Sequence, residues 1–196
     1  MPLLESNLDI DRCPHCSVAK PNLKTVYTMD TDNYSATNQR CWYVYVCSKC
    51  GGVVIAYGRK SGGQITEIYP HATEVDNTIP VPAHSYLQQA LDSIHAPAGA
   101  VMLAASSVDA MLKKSGYTEG SLYSRIDKAA TDNIITSSMA KWAHEIRLEA
   151  NGQRHADMDE QLPDEKDAKR VIDFALALGQ FLFVLPAKVK QGIEGI

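Results

Sequence analysis

The chain has 196 residues, of which 45% are hydrophobic and 21% charged, and its formal net charge is −4. This length allows one ordinary domain with a smaller one, and the apolar share is sufficient for a buried core, which excludes a wholly disordered chain. The acidic balance and the lack of a stripe of lysines and arginines argue against a general nucleic-acid-binding protein, because affinity for phosphates depends on clustered cations. No basic segment followed by an apolar run opens the chain, so we expect no secretory signal.

The first quarter of the chain contains two Cys-x-x-Cys pairs, Cys13 with Cys16 and Cys47 with Cys50, separated by thirty residues. A tight turn across each pair directs both sulfurs to one point, and two such turns complete the tetrahedral shell of thiolates typical of structural zinc. The sequence therefore predicts one structural Zn²⁺ bound by these four cysteines. His15 lies inside the first pair and is an alternative ligand to one of the thiols.

The residues on both sides of the second pair, 41–46 and 53–59, are rich in β-branched and aromatic side chains. They predict a hairpin with the metal at its turn, and residues 66–69 predict a third strand. With few large apolar side chains, residues 1–69 cannot fold by burial alone, so we predict a small β zinc ribbon whose folding depends on the metal. The fifth cysteine, Cys41, is expected to be a buried strand residue, and paired metal-binding thiols suit a reducing cytoplasm.

Residues 70–84 are rich in proline and polar residues and predict a linker, because proline interrupts helices. From residue 85 to residue 196 the apolar spacing is helical, so we predict an all-α bundle and an α+β fold for the whole chain. The expected helices cover residues 85–95, 97–115, 121–130, 138–151 and 164–185. The Asn151-Gly152 pair is predicted to stop the fourth helix and Pro186 the fifth, which begins with a capping box formed by Asp164 and Asp167.

The last predicted helix is apolar on almost every side between residues 171 and 185, although Asp173 and Gln180 interrupt the run. Such a stretch is too short to cross a bilayer. A helix that is apolar all round is either central in its bundle or covered by another molecule, and five short helices are few to surround it. We therefore predict a homodimer that uses the C-terminal helices.

The polar face of the fourth predicted helix carries His144, Arg147 and Asn151, and His155 follows just beyond its predicted end. Residues 147 and 151 lie one turn apart, and His155 can fold back beside them if the chain leaves the helix after Asn151. A guanidinium that holds a phosphodiester next to an imidazole that moves protons suits phosphate chemistry. In the alternative, these residues have no chemical role: Arg147 pairs with an acid such as Glu165, Asn151 caps the helix and His155 is a surface residue.

The segment from Ala143 to His155 resembles the signature of domain-of-unknown-function family 4145, in which an Arg precedes a Gly-Asn pair and an Ala-His pair. The resemblance extends to the Cys-Pro-His-Cys ribbon, the proline-flanked linker, the alanine-rich helix near residues 98–112 and the closing apolar helix. That family is grouped with the HEPN superfamily, helical bundles common in prokaryotic defence, toxin–antitoxin and restriction loci. The resemblance implies a symmetric dimer whose fourth helices meet at a cleft.

In active members of the superfamily, an Arg and a His with four to six residues between them form, with the partner's pair, a composite and metal-independent ribonuclease site. Carried over to this chain, the resemblance implies catalytic roles for Arg147 and His155, with Asn151 as the polar residue between them. Seven residues separate Arg147 from His155 here, and Ala150 stands where nuclease members place the Arg.

Two hypotheses follow from these observations. The first, which we favour, is a dimeric, non-catalytic binding or adaptor module of a defence or restriction-type system, with RNA or a protein as partner and no membrane. The second is a metal-independent endoribonuclease that uses the composite site. Sequence-specific DNA binding by the ribbon is less favoured, because Lys49, Arg59 and Lys60 are not accompanied by a recognition helix.

Overall fold

The structure, a computed structural model, describes residues 2–155 and 162–195, except for the side chains of residues 154 and 155. Four antiparallel strands in the first part of the chain are followed by helices, which confirms the predicted α+β fold. The chain divides into two compact units, Met1–Thr73 and Glu74–Ile196. We call them the ribbon unit and the helical unit and describe each by itself.

The ribbon unit is a four-stranded meander in the order β1-β2-β3-β4. The predicted hairpin is confirmed, with Val46 opposite Val53 where its two strands meet, and so is the strand after it. The first strand was not predicted, because most of its residues are exposed and it lacks a buried alternating pattern. The strands are β1 Leu23–Thr31, β2 Arg40–Cys47, β3 Val53–Gly58 and β4 Ile65–Tyr69.

One face of this sheet forms a small core together with the N-terminal segment and the cysteine turns. Tyr45 is its largest fully buried side chain, and its hydroxyl donates a hydrogen bond of 2.9 Å to the carbonyl oxygen of Glu5. The other members of the core are Leu4, Leu8, Cys13, Leu23, Cys47, Val54 and Ala56. Because so few large apolar side chains are buried, the unit needs a further source of stability.

In the helical unit, α2 packs against four other helices and forms the centre of the bundle. Its position follows from composition, since alanines at successive turns let neighbouring helices approach closely. The helices are α1 Ala83–Asp92, α2 Pro97–Lys114, α3 Leu122–Thr131, α4 Ser137–His155, α5 Glu165–Gly179 and α6 Leu185–Glu194, with a π-helical turn Gln180–Val184 that joins the last two.

Three helices have recognisable capping or stop signals at their ends. Pro97 occupies the first turn of α2, and Gly116 follows its end with a φ of +100°. Ser121 caps α3 by accepting a hydrogen bond from the backbone N–H of Ser124. At α5, Asp164 and Asp167 form the predicted capping box, in which each carboxylate accepts a backbone N–H of the other residue.

The predicted stop of the fourth helix at Asn151-Gly152 is wrong, because α4 continues to His155. A glycine inside a helix costs only about 1 kcal/mol relative to alanine. Ile146 and Ala150 are buried in the helical core, so packing holds this part of α4 in its helical conformation.

The predicted stop at Pro186 is also wrong, because helical structure continues from Glu165 to Glu194. Proline lacks an N–H and its ring clashes with the carbonyl group one turn earlier in a regular helix. The π-helical turn Gln180–Val184 widens the helix just before Pro186 and so accommodates the ring without ending it.

The second half of the predicted linker is part of the helical unit. Val75 and Ile79 are buried in its core, and α1 already begins at Ala83. Ile79 lies so close to Gly179 that a Cβ atom at position 179 would be 2.5 Å from the Ile79 Cδ1 atom. The proline-rich composition of residues 70–84 therefore prevents a helix there but does not prevent packing.

The helix from Glu165 to Glu194 is long and apolar enough to cross a membrane by length and composition, with a mean hydropathy of 1.6 over its most apolar window. The sequence-based expectation that this segment is too short to cross a bilayer assumed that the helix ends at Pro186. Val171, Phe174 and Leu178 of the helix are buried in the helical core, so part of its apolar surface is used for packing within the helical unit.

Phe174 supplies a direct test of this packing. Its ring centroid lies 4.9 Å from that of Trp142, and the side chain is 1% exposed. Phe174→Ala should lower the free energy of unfolding by about 3–5 kcal/mol, because it leaves a cavity between α4 and α5. Urea unfolding followed by far-ultraviolet circular dichroism measures this loss. Leu148→Ala, at an exposed position of α4, is the control and should change little; equal effects of both substitutions would contradict the packing.

Candidate metal centre and cationic pocket

The four paired cysteines converge on one point in the ribbon unit. Their sulfur atoms all lie within 4.8 Å of one another, and the Sγ atoms of Cys13 and Cys50 are 3.9 Å apart. All five cysteines are free thiols. A tetrahedral zinc site with Zn–S bonds of about 2.3 Å has sulfur–sulfur separations of about 3.8 Å, so the four sulfurs fit one zinc ion.

The cysteine turns are held by backbone hydrogen bonds. In the second turn, the N–H of Cys47 donates to the carbonyl of Gly52 at 3.0 Å, and the N–H of Gly51 donates back to Cys47 at 2.8 Å. Gly51 has a φ of +72°, which favours glycine. The first turn is similar, with the N–H of Cys13 bonded to the carbonyl of Val18 at 3.0 Å. These bonds hold the two turns so that their sulfurs face one point.

The thiols differ in acidity. Burial raises the pKa of Cys16 to about 12 and also raises the pKa of Cys13. Burial acts in the same direction on Cys47, but backbone N–H groups of Cys50 and Lys49 outweigh it and lower its pKa to about 7. A metal ion binds thiolates and must displace these protons, so affinity for metal falls as the pH falls.

His15 braces the second turn and is not a ligand. Its Nε2 atom lies 2.7 Å from the carbonyl oxygen of Val53, and because a carbonyl only accepts, this nitrogen carries the proton. The ring also lies against Gly52, where an added Cβ atom would be 2.5 Å from the ring Cδ2 atom. The glycine after the second pair thus leaves room for the imidazole, and the alternative of a histidine ligand is not favoured.

A second candidate site lies within the helical unit, in a cavity of about 800 Å³ between α2, α3 and α4. Four cationic side chains and one carboxylate line it, together with hydroxyl, amide and aromatic groups. We call it the cationic pocket, and its polar lining is Tyr86, Ser106, Asp109, Lys113, Lys114, Ser121, Tyr123, Arg125, Arg147 and Asn151.

One wall of the pocket is a closed network of ion pairs. Arg125 is buried, and its Nε and Nη2 atoms donate to Asp109 at 2.9 and 2.6 Å, while Nη1 donates to the carbonyl of Gly120. The Nζ atom of Lys113 lies 2.7 Å from the other oxygen of Asp109. A single carboxylate therefore faces two cations, and the network keeps a positive charge.

Arg147 lies in the opposite wall. Its Cζ atom is 5.3 Å from the centre of the Tyr123 ring, a cation–π contact. Its Nε atom is buried without a hydrogen-bond partner, and no carboxylate lies within ion-pair distance of Arg147 among the described residues. The predicted neighbour Asn151 also lines the pocket. Among the described residues Arg147 is thus a cation without a counter-charge in an open cavity, and its predicted pairing with an acid such as Glu165 is not found there.

The other polar residues of α4 are engaged elsewhere. The Nε2 atom of His144 lies 2.9 Å from Asp127 on α3, and its ring centroid lies 4.7 Å from that of Tyr123, with the two ring planes tilted by 38°. Glu149 pairs with Arg170 on α5. Sequence spacing did not point to Tyr123 or Asp127, because they belong to another helix and carry no motif of their own.

His155, the remaining predicted site residue, has a side chain that lies outside the described residues. Its backbone ends α4, so it stands eight positions after Arg147, or about 12 Å along the helix axis. The predicted fold-back of His155 beside Arg147 assumed that the chain leaves the helix after Asn151. Because α4 continues to His155, this assumption is wrong.

The metal centre is tested by single substitutions. Cys16→Ser should abolish binding of the one zinc ion per chain and unfold the ribbon unit, because structural zinc supplies on the order of 10 kcal/mol of folding energy. Cys41→Ser and His15→Ala should retain the zinc. Elemental mass spectrometry measures the zinc content. The fluorescence of Trp42, in a Trp142→Phe background, reports whether the ribbon unit is folded. Loss of zinc in Cys41→Ser, or its retention in Cys16→Ser, would contradict the four-thiol site.

The comparisons with known proteins identify the helical unit. Residues 87–194, which are more than half of the chain, match the family model described as Domain of unknown function (DUF4145). No curated protein and no solved structure matches the chain. The match covers the helices that form the cationic pocket, and the chain therefore belongs to this family of domains of unknown function.

Proposed function

We propose that this protein is a non-catalytic binding or adaptor module, in which the helical unit holds an anionic group of a partner in the cationic pocket. The ribbon unit is stabilised by a structural zinc ion at Cys13, Cys16, Cys47 and Cys50. The superfamily resemblance suggests a place in a prokaryotic defence or restriction-type system, and the free thiols suit the cytoplasm. RNA and a protein are both partners that carry suitable anionic groups.

The observation that carries the proposal is the environment of Arg147. A guanidinium that lies over the Tyr123 ring, lines the same pocket as Lys114 and has no carboxylate partner among the described residues is preorganised to bind a phosphate or carboxylate in bidentate fashion. Binding of such a group offsets the cost of the unpartnered Nε atom.

The same surroundings favour binding over catalysis. His144 is the histidine nearest to Arg147 on α4 among the described side chains, and Asp127 and Tyr123 hold its ring. Its Nδ1 atom is buried and has no hydrogen-bond partner. The described part of the pocket thus offers groups that hold an anion but no imidazole that is open to it as a general base.

The second candidate is the endoribonuclease with a composite Arg147 and His155 site, and one observation favours it. Arg147 lines an open cavity and forms no ion pair with a described carboxylate. A residue that stabilises a phosphorane-like transition state must be available in this way. In this alternative Asn151 orients one of the catalytic groups, and the partner protomer completes the site.

We also propose that two copies associate through the C-terminal helix. Four apolar side chains spaced four residues apart form a stripe along one side of it and are exposed in the single chain: Phe181, Leu185, Val189 and Ile193 at 39, 45, 60 and 70%. Ridges of this spacing interdigitate between two helices, so the stripe is complementary to itself. A symmetric dimer would cover it on both copies.

The binding proposal is tested with pyrophosphate as a compact probe. Arg147→Ala should raise the dissociation constant for pyrophosphate, measured by calorimetry, at least about tenfold, which is the scale of one lost charge-assisted hydrogen bond. The matched control is Lys141→Ala, which removes an exposed cation of the same helix outside the pocket and should leave the affinity unchanged.

Incubation with a structured RNA separates the two candidates. The adaptor predicts that the zinc-loaded wild type leaves the RNA intact. Cleavage that disappears in both Arg147→Ala and His155→Ala would instead establish the nuclease. If pyrophosphate affinity does not change in Arg147→Ala, the pocket is not the anion site.

The dimer is tested by sedimentation velocity. Val189→Glu should convert the dimer to a monomer, because it places two carboxylates in the apolar contact. Gln191→Glu adds the same charge on the same helix away from the stripe and should leave the dimer intact. A wild type that sediments as a monomer at tens of micromolar would refute this mode of association.

A further inference from the structure

The outer face of the ribbon sheet, which faces away from the ribbon core, carries two rows of large side chains that cross all four strands. Cross-strand partners share a face of the sheet, so the strand register places these residues side by side. The first row is Met29, Trp42, Tyr57 and Glu67. The second row is Tyr27, Val44, Ile55 and Tyr69. We call these two rows the aromatic face.

The aromatic rings are fixed in place by hydrogen bonds within the face. The indole N–H of Trp42 donates to the Thr31 hydroxyl at 2.7 Å, and the Trp42 and Tyr57 ring centroids are 4.5 Å apart. The hydroxyls of Tyr57 and Tyr69 both donate to the Glu67 carboxylate. The polar ends of Trp42, Tyr57 and Tyr69 are therefore satisfied, and these side chains offer a ligand their ring surfaces.

The aromatic face belongs to neither hydrophobic core within the described part of the chain. Tyr27, Met29 and Tyr69 are exposed, and Trp42 and Tyr57, which contact each other, are half-buried. The ribbon unit buries few large side chains in its own core, so rings left on the surface need an explanation. A contiguous exposed apolar patch of this kind marks an interaction site.

The charges around the face favour an anionic ligand. The Cζ atom of Arg40 lies 4.8 Å from the centre of the Tyr57 ring, at one end of the rows. Lys24, opposite Val46, stands at the other end. Glu67 is the one acid in the two rows, and the two tyrosine hydroxyls and His71, at 3.6 Å, already engage it. Two cations thus flank a surface of aromatic rings.

We propose that the aromatic face binds single-stranded nucleic acid by stacking of its bases on Trp42, Tyr57 and Tyr27, with Arg40 and Lys24 on the phosphates. Bases stack on aromatic rings without regard to sequence, and an open sheet presents successive rings at a spacing that a flexible strand can follow. This site is separate from the cationic pocket and does not depend on the function proposed for it.

The inference agrees with the overall charge of the chain. A duplex is bound mainly through many phosphate contacts, which an acidic chain does not supply. Stacking needs few cations, and with two phosphate contacts the logarithm of affinity should fall with the logarithm of salt concentration with a slope of only about −1.4. A proline-rich peptide also packs on aromatic rings, but it gains nothing from cations at both ends of the face.

Titration of the full-length, zinc-loaded protein with the oligonucleotides rU8 and dT8 tests the proposal. In a Trp142→Phe background, Trp42 is the remaining tryptophan, so a stacked base should quench its fluorescence. Trp42→Ala and Tyr27→Ala, followed by fluorescence anisotropy of labelled rU8, should each weaken binding about tenfold or more. Tyr34→Ala removes a fully exposed tyrosine outside the face and should have no effect.

Zinc content of each variant shows that the ribbon unit is still folded, and Arg40→Gln provides a second variant that does not touch the ring packing of Trp42. Quenching with a shallow salt dependence, lost in the face variants and kept in Tyr34→Ala, supports the proposal. Three results overturn it: no binding of either oligonucleotide at millimolar concentration, equal binding by the Trp42 and Tyr27 variants, or binding that Arg147→Ala abolishes. Capture of a proline-rich peptide by the face without oligonucleotide binding also overturns it.

Discussion

The convergence of four sulfurs on one point is the constraint on which the ribbon unit depends. Its core is small, and Tyr45 is the one large aromatic side chain that is fully buried there. The backbone hydrogen bonds of the two cysteine turns bring the sulfurs within 4.8 Å of one another, so an ion of the right size completes the fold. A metal ion bound there would supply stability that the small core lacks, and the outer face of the sheet contributes no residue to that core.

The helical unit follows a different principle, since burial around α2 supplies its stability. Its polar chemistry lies where three helices leave a gap. There Asp109 faces two cations, and Arg147 contacts the Tyr123 ring and has no carboxylate partner in the described part of the chain. A buried polar atom without a partner is costly, and such sites are kept where a ligand completes them. The two units thus present two unlike surfaces, one cationic and concave, the other aromatic and flat.

Much of the architecture was predictable from local patterns. The Cys-x-x-Cys spacing, the hairpin on both sides of the second pair and the capping box of α5 depend on residues close together in the chain. The errors share a physical cause. Gly152 and Pro186 are strong stop signals in isolation, but burial of α4 and a π-helical turn overcome them. The linker residues Val75 and Ile79 were misjudged because packing depends on distant partners.

The sequence by itself determined the cluster of four cysteines that could hold a metal ion, the fold class and the presence of Arg147 and Asn151 on one face of a helix, because these depend on spacing of a few residues. Only the tertiary structure decided what surrounds them. It placed Tyr123 under Arg147, held His144 against Asp127 and joined four strands so that Trp42 and Tyr57 meet. Such contacts join residues far apart in the chain, and their energies depend on the geometry of the packed elements, which no local pattern contains.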